Sequence, residues 1–139
     1  MANKSQMTGM LGVYLVAAEL SRLGFIVSPT SRSAAGADLL VTDHKCQKAW
    51  SVQVKTNSKS ASFWLLGAHA LNMQSDSHVY VFVNIRGDNR PEYIVVPSAH
   101  VAMKMRTPIR STGSKWYSFY KTDRLDPGEG WEIFGDPHA

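Results

Sequence analysis

Two neighbouring stretches decide the fold: Gly36-Ala37-Asp38-Leu39-Leu40-Val41-Thr42 and Trp50-Ser51-Val52-Gln53-Val54-Lys55-Thr56. Asp38 to Thr42 and Trp50 to Thr56 read as strands, and the polar segment from Asp43 to Lys48 between them predicts a hairpin. Strand side chains alternate, so Trp50, Val52, Val54 and Thr56 share one face while Ser51, Gln53 and Lys55 share the other. Gln53 and Lys55 therefore reach the same side of the sheet, and the hairpin sets Asp38 close to them. Asp38 follows Gly36-Ala37, where the lack of bulk leaves room for a ligand to approach its carboxylate. Standing alone, an Asp at this position serves equally well as an acceptor of backbone N–H bonds in a loop.

Upstream of this hairpin, Thr8 as N-cap and Gly24 as stop predict a helix over residues 9–23, apolar nearly all round and hence largely buried. Glu19 breaks that pattern. Its helical neighbours are Leu15, Val16 and Leu23, so a carboxylate projects from apolar surroundings and needs a cation or a donor. A core Glu paired with a lysine or with backbone amides satisfies the same need. Phe25-Ile26-Val27 reads as a strand, and Thr30 to Gly36 as a small, polar loop.

Downstream, Phe63 to Leu66 reads as a short edge strand and Ala68 to Gln74 as a helical turn. Val79 to Ile85, apolar on both faces apart from Asn84, reads as a central strand covered on both sides. The turn from Arg86 to Pro91 leads into Tyr93 to Val96, and Ser98 caps a helix over 99–106 that Pro108 ends. This order predicts an α/β protein with a mixed sheet and helices packed on it. With 139 residues, no repeat and no linker, the chain reads as a single domain, 1–139.

Charge is unevenly spread. The net charge is +4, and between Tyr93 and Thr122 there is no acidic residue, whereas Lys104, Arg106, Arg110, Lys115 and Lys121 fall there among Trp116, Tyr117, Phe119 and Tyr120. Such a stretch suits phosphate contacts through Arg106, Arg110 and Lys115 and base stacking on Trp116 or Tyr117, or else a solvated basic face whose aromatics belong to the core. From Asp126 onward the sign reverses. Trp131, Ile133 and Phe134 are expected to anchor the C-terminus.

Several classes are excluded. Cys46 is the only cysteine, so neither an internal disulfide nor a cysteine zinc site can form, and a reducing cytoplasm is the expected compartment. The histidines lack metal-ligand spacing. No Gly-rich phosphate cradle, Gly-x-Ser-x-Gly elbow or nucleotide fingerprint occurs. The run Met10 to Ala18 imitates a secretory signal, but it continues as one helical pattern through Glu19 and Leu23, and no stretch has the length of a membrane span.

The order Gly12…Glu19, Gly36-Ala37-Asp38-Leu39-Leu40-Val41, Val52-Gln53-Val54-Lys55-Thr56 resembles the PD-(D/E)xK nuclease superfamily. The resemblance spans roughly residues 9–57. It implies a restriction-endonuclease-like mixed central sheet flanked by helices, and a metal-dependent nuclease acting on DNA, with RNA left open as an alternative, and with Mg²⁺ or Mn²⁺ as cofactor. Asp38 and Gln53 would be metal ligands, Lys55 the catalytic lysine, and Glu19 a helix carboxylate binding metal or water. Two departures stand out: Ala37 replaces the proline, and Gln53 occupies the acidic position, which removes one negative charge from the ligand set. Gln-x-Lys occurs among active resolvase-like members. The loop resembles that preceding the catalytic Asp of archaeal Holliday-junction resolvases, which makes Ser31 and Ser33 further candidates, and Arg32 and Ser33 candidates for nucleic-acid contact. The competing expectation is a nuclease fold that has lost catalysis through Gln53 and serves as a nucleic-acid-binding or protein-interaction module. Cutting two strands at once would call for a homodimer.

Overall fold

In the computed structural model, which describes residues 3–31, 36–108, 113 and 115–139, the chain begins with helix α1, Lys4–Arg22. The helix starts earlier than Thr8 because Asn3 is the N-cap: its side chain accepts from the Gln6 N–H, and the Gln6 side chain accepts from the Asn3 N–H. This reciprocal pair satisfies two of the donors that a helix start leaves open. Thr8 lies inside the helix and donates back to the Lys4 carbonyl. Gly24, at φ 104°, ends it as expected.

The strands are β1 (Ile26–Pro29), β2 (Leu39–Thr42), β3 (Ala49–Asn57), β4 (Phe63–Leu66), β5 (His78–Arg86), β6 (Asn89–Pro97) and β7 (Tyr117–Tyr120), with helix α2 (Ser98–Lys104) between the last two. Five of them form one sheet in the order β1-β2-β3-β5-β6, and β4 pairs with β7 in a separate two-stranded sheet. The β2–β3 hairpin is antiparallel with Leu39 opposite Val52, whereas β3 and β5 run parallel with Lys55 opposite Phe82. Parallel neighbours need a crossover, and here residues 58–77 supply one that contains β4 and a 3-10 turn over Ala68–Asn72. The expectation for Ser98 is corrected: rather than capping α2, its hydroxyl donates to the Ser75 carbonyl and accepts from the Ser75 N–H. It fastens the end of that crossover.

Two cores lie on opposite faces of the five-stranded sheet. On one, Val16 and Leu20 of α1 meet Val52, Val54, Val79, Val81, Val83, Tyr93 and Val95. Gly12 lets α1 come down onto β3, since a Cβ there would collide with the Thr56 hydroxyl. On the other, Tyr80, Phe82, Ile94 and Val96 meet Trp64 and Leu66 of β4, Ala70, Val101 and Phe119. Strand β5 is buried from His78 to Asn84, as expected for a strand covered twice. Asn84 is satisfied there, donating to the Ala61 carbonyl and Glu92 and accepting from Asn57. The C-terminal segment closes the first core. Phe134 packs against Phe25 and Trp50 at 5.7 and 5.3 Å between ring centroids, and Trp131 lies 5.5 Å from Tyr93. The Glu129 carbonyl accepts from the N–H of Val95 on edge strand β6, and the Pro137 carbonyl accepts from His44.

Candidate active site

Asp38 sits just ahead of β2, opposite Gln53 by continuation of the hairpin register. Its N–H donates to the Val52 carbonyl at 2.8 Å, and its carboxylate Oδ2 accepts from the Val54 N–H at 2.8 Å. Asp38 is thus clamped to β3 on either side of Gln53. Thr30 supports it from the preceding segment, donating through its hydroxyl to the Ala37 carbonyl at 2.6 Å and through its N–H to the Asp38 carbonyl. Gly36, at φ 76°, adopts a left-handed backbone, and a Cβ there would strike the terminal methyl of Met73. The absence of bulk read from the sequence is therefore required at Gly36 by packing against Met73.

Since Val52 and Val54 belong to the core under α1, Gln53 and Lys55 point to the opposite face of the sheet. Gln53 is buried, and its Oε1 has no hydrogen-bond partner among the described residues. Lys55 is partly buried. Burial lowers its pKa, and the nearby negative charge of Asp38 works in the other direction. Beside them, His78 lies opposite Ser51 and Tyr80 opposite Gln53. Ser51 Oγ and His78 Nδ1 are 2.7 Å apart. Burial lowers the His78 pKa, against a smaller opposing effect of a hydrogen bond to the Ser51 backbone, and burial pushes the Tyr80 phenol up to about 12.

Glu19 does not join this group. It lies on the α1 side of the sheet, where Arg22 Nη2 and Arg90 Nη2 approach its Oε1 to 2.6 and 3.2 Å. Arg90 also pairs with Glu129 at 2.8 Å and lies over the Tyr93 ring. The hydrogen bond from Arg22 holds the Glu19 carboxyl below its ordinary pKa, outweighing burial. The expectation that a helix acid shares the hairpin's pocket is corrected: Glu19 lies on the other face of the sheet from Gln53 and Lys55, where it pairs with Arg22 and Arg90. Arg90, far off in sequence at the start of β6, was the unforeseen partner.

The other expected contacts divide. Arg32, Ser33 and Arg110 lie outside the described residues. Ser31 is exposed, and its carbonyl accepts from the Thr30 hydroxyl. Lys115 is exposed, Trp116 is exposed, Tyr117 is half-buried, and Phe119 belongs to the core. Arg106 stacks on Tyr120, its guanidinium 3.8 Å from the ring centroid, and pairs with Asp123 at 3.3 Å.

Among the described residues, no group of three His, Cys, Asp or Glu side chains could hold a metal ion. Among the described residues, the oxygens that could meet a metal beside Asp38 are a mixed set: its carboxylate, the Gln53 amide oxygen and main-chain carbonyls. The Gln53 Oε1, a buried acceptor without a donor, fits a hard cation beside Asp38.

No family model matches the chain, and no curated protein matches it. Solved structures do. A Holliday junction resolvase, Hjc, from the archaeal hyperthermophile Archaeoglobus fulgidus superposes with a TM-score of 0.58 at 12% identity, covering 92% of this chain and 96% of that one. A bacterial homing endonuclease, I-Ssp6803I, superposes with a TM-score of 0.52 at 13% identity, covering 98% and 87% respectively. The chain has an α/β restriction-endonuclease-like fold, the mixed sheet flanked by helices that was expected.

Proposed function

We propose that the chain is a metal-dependent nuclease that hydrolyses phosphodiester bonds, most naturally in DNA, with Asp38, Gln53 and Lys55 as its working residues. The observation that carries this reading is the orphaned Gln53 Oε1 on the same face as Lys55, beside an Asp38 fixed by two backbone bonds to β3. Asp38 and Gln53 would hold Mg²⁺ or Mn²⁺, which supplies Lewis-acid polarisation of the phosphate and an activated water. Lys55 holds negative charge at the phosphate or positions the water, with its ammonium balanced between burial, which loosens its proton, and Asp38, which retains it. Glu19 has no part in this chemistry.

Purified protein with Mg²⁺ or Mn²⁺ should cut a DNA substrate, while Asp38→Ala and Lys55→Ala should not. Equal cutting by all three refutes the reading. The lone carboxylate also supports a second reading, a nucleic-acid-binding module without catalysis. Calorimetry separates the two: no Mn²⁺ binding together with salt-sensitive DNA binding favours the module.

A further inference from the structure

The two-stranded sheet has a core face and an open face. Trp64, Leu66 and Phe119 fill the core and are almost completely buried. On the open face, Phe63 stands opposite Tyr120 with ring centroids 5.3 Å apart and planes 31° apart, and Arg106, bridged to Ser118, places its guanidinium carbon 3.8 Å from the Tyr120 ring centroid. Phe63 is 38% exposed and the Arg106 side chain 53%. The result is a ladder of three planar groups, Phe63, Tyr120 and Arg106, at the surface. The core does not need its exposed faces.

This ladder is tied to the candidate site. Asn57, which follows Lys55 on the same face of β3 about 7 Å along the strand, donates to the Phe63 carbonyl at 2.8 Å. Lys121 donates its N–H to the Ser62 carbonyl, which fixes β7 to the same turn. The surroundings are basic: Lys59 is exposed in the turn before β4, and Lys104 and Lys115 are exposed around β7. Glu92 and Asp123 are the acids in contact, and they are engaged by Lys121 and Arg106 respectively.

We propose that Phe63, Tyr120 and Arg106 form a stacking platform for an unpaired base of a nucleic-acid strand whose backbone runs past Lys55. Flat aromatic and guanidinium faces set among cations suit a nucleobase attached to phosphates. This inference rests on the nuclease reading and narrows its substrate class to nucleic acid single-stranded beside the cleaved bond.

The test is anisotropy binding in EDTA, where no hydrolysis intervenes, comparing a short oligothymidylate with an abasic oligomer of equal length and charge. Wild type should prefer the oligothymidylate by about tenfold, the effect of roughly one stacked base. Phe63→Leu, which keeps apolar volume without a ring, and Arg106→Lys, which keeps charge without a plane, should each erase the preference while still binding the abasic oligomer, with unchanged melting temperatures. Equal wild-type affinity for the two oligomers, binding to neither, or a preference surviving in Phe63→Leu would overturn the platform. Asp38→Asn should keep the preference. Should the preference be present while no variant, wild type included, cuts any substrate, the nuclease reading fails and the platform stands.

Discussion

Asp38 combines two roles that substitution can separate. Its Oδ2 accepts from the Val54 N–H at 2.8 Å in a partly buried position, and its charge acts on Lys55. Asn in its place offers an oxygen for the same backbone N–H but no charge; Ala offers neither. Leaving a buried donor unmade costs about 1–3 kcal/mol, so Asp38→Ala should be less stable than Asp38→Asn by that amount. For a chain of this size that is a difference of roughly 3–12 °C in melting temperature. Both variants should lose metal-dependent cutting, because neither keeps the only carboxylate proposed to bind the ion. Thermal melts monitored by circular dichroism, with plasmid cleavage in Mg²⁺ and Mn²⁺, give both readouts. If Asp38→Asn melts as low as Asp38→Ala, the backbone bond is not what Asp38 contributes to folding. If either variant cuts at the wild-type rate, Asp38 is not a ligand.

Three other expectations can be checked alongside. Glu19→Gln should cut as wild type does. Because the Glu19 pKa is held below 4.5 in the folded state, its ion pairs stabilise above that value and are lost as pH falls through the folded one, so the variant should show a shallower acid limb in melts from pH 7 to 3. The Lys55 pKa is lowered from 10.5, so the unfolded chain binds more protons between the folded value and 10.5, and wild-type stability should rise with pH across that window. Lys55→Met should remove the rise and should be more stable at neutral pH, while losing cleavage; an unchanged alkaline limb speaks against a desolvated lysine. Gln53→Glu restores a second carboxylate and should tighten Mn²⁺ binding at least about tenfold by calorimetry, a unit charge near a divalent ion being worth several kcal/mol even at an effective dielectric near 20. Unchanged affinity would remove Gln53 from the ligand set.

The hairpin was readable because its information is local. Alternation from Trp50 to Thr56 set the faces, and the faces put Gln53 and Lys55 together. Strand β5 was readable for a similar reason, being apolar without alternation. Glu19 misled because its context on the helix was equally consistent with a metal and with an arginine. The arginine that matters lies across the fold at Arg90, and nothing near either residue announces the pairing. Strand β7 and its pairing with β4 were not foreseen, because a stretch rich in cations and aromatics carries two meanings at once. Phe119 serves the core, Tyr120 and Arg106 serve the surface, and only the register with Phe63 separates them. The start of α1 was legible in principle, since Asn3 and Gln6 have capping-box spacing, but Thr8 before the apolar run was the more conspicuous candidate.

The position of the C-terminal segment bears on how such a domain can be inherited or cut up. Every residue proposed to work on the phosphate falls within the first helix-and-hairpin portion, which invites the idea of a portable catalytic cassette. Yet Phe134 packs against the Phe25 and Trp50 rings, which also meet each other edge to face, and Glu129 occupies the rim of β6. A fragment lacking them would expose aromatic faces and an unpaired strand edge, a template for aggregation. Recombination that moves the hairpin into another protein must carry this distant segment with it or supply a substitute wedge.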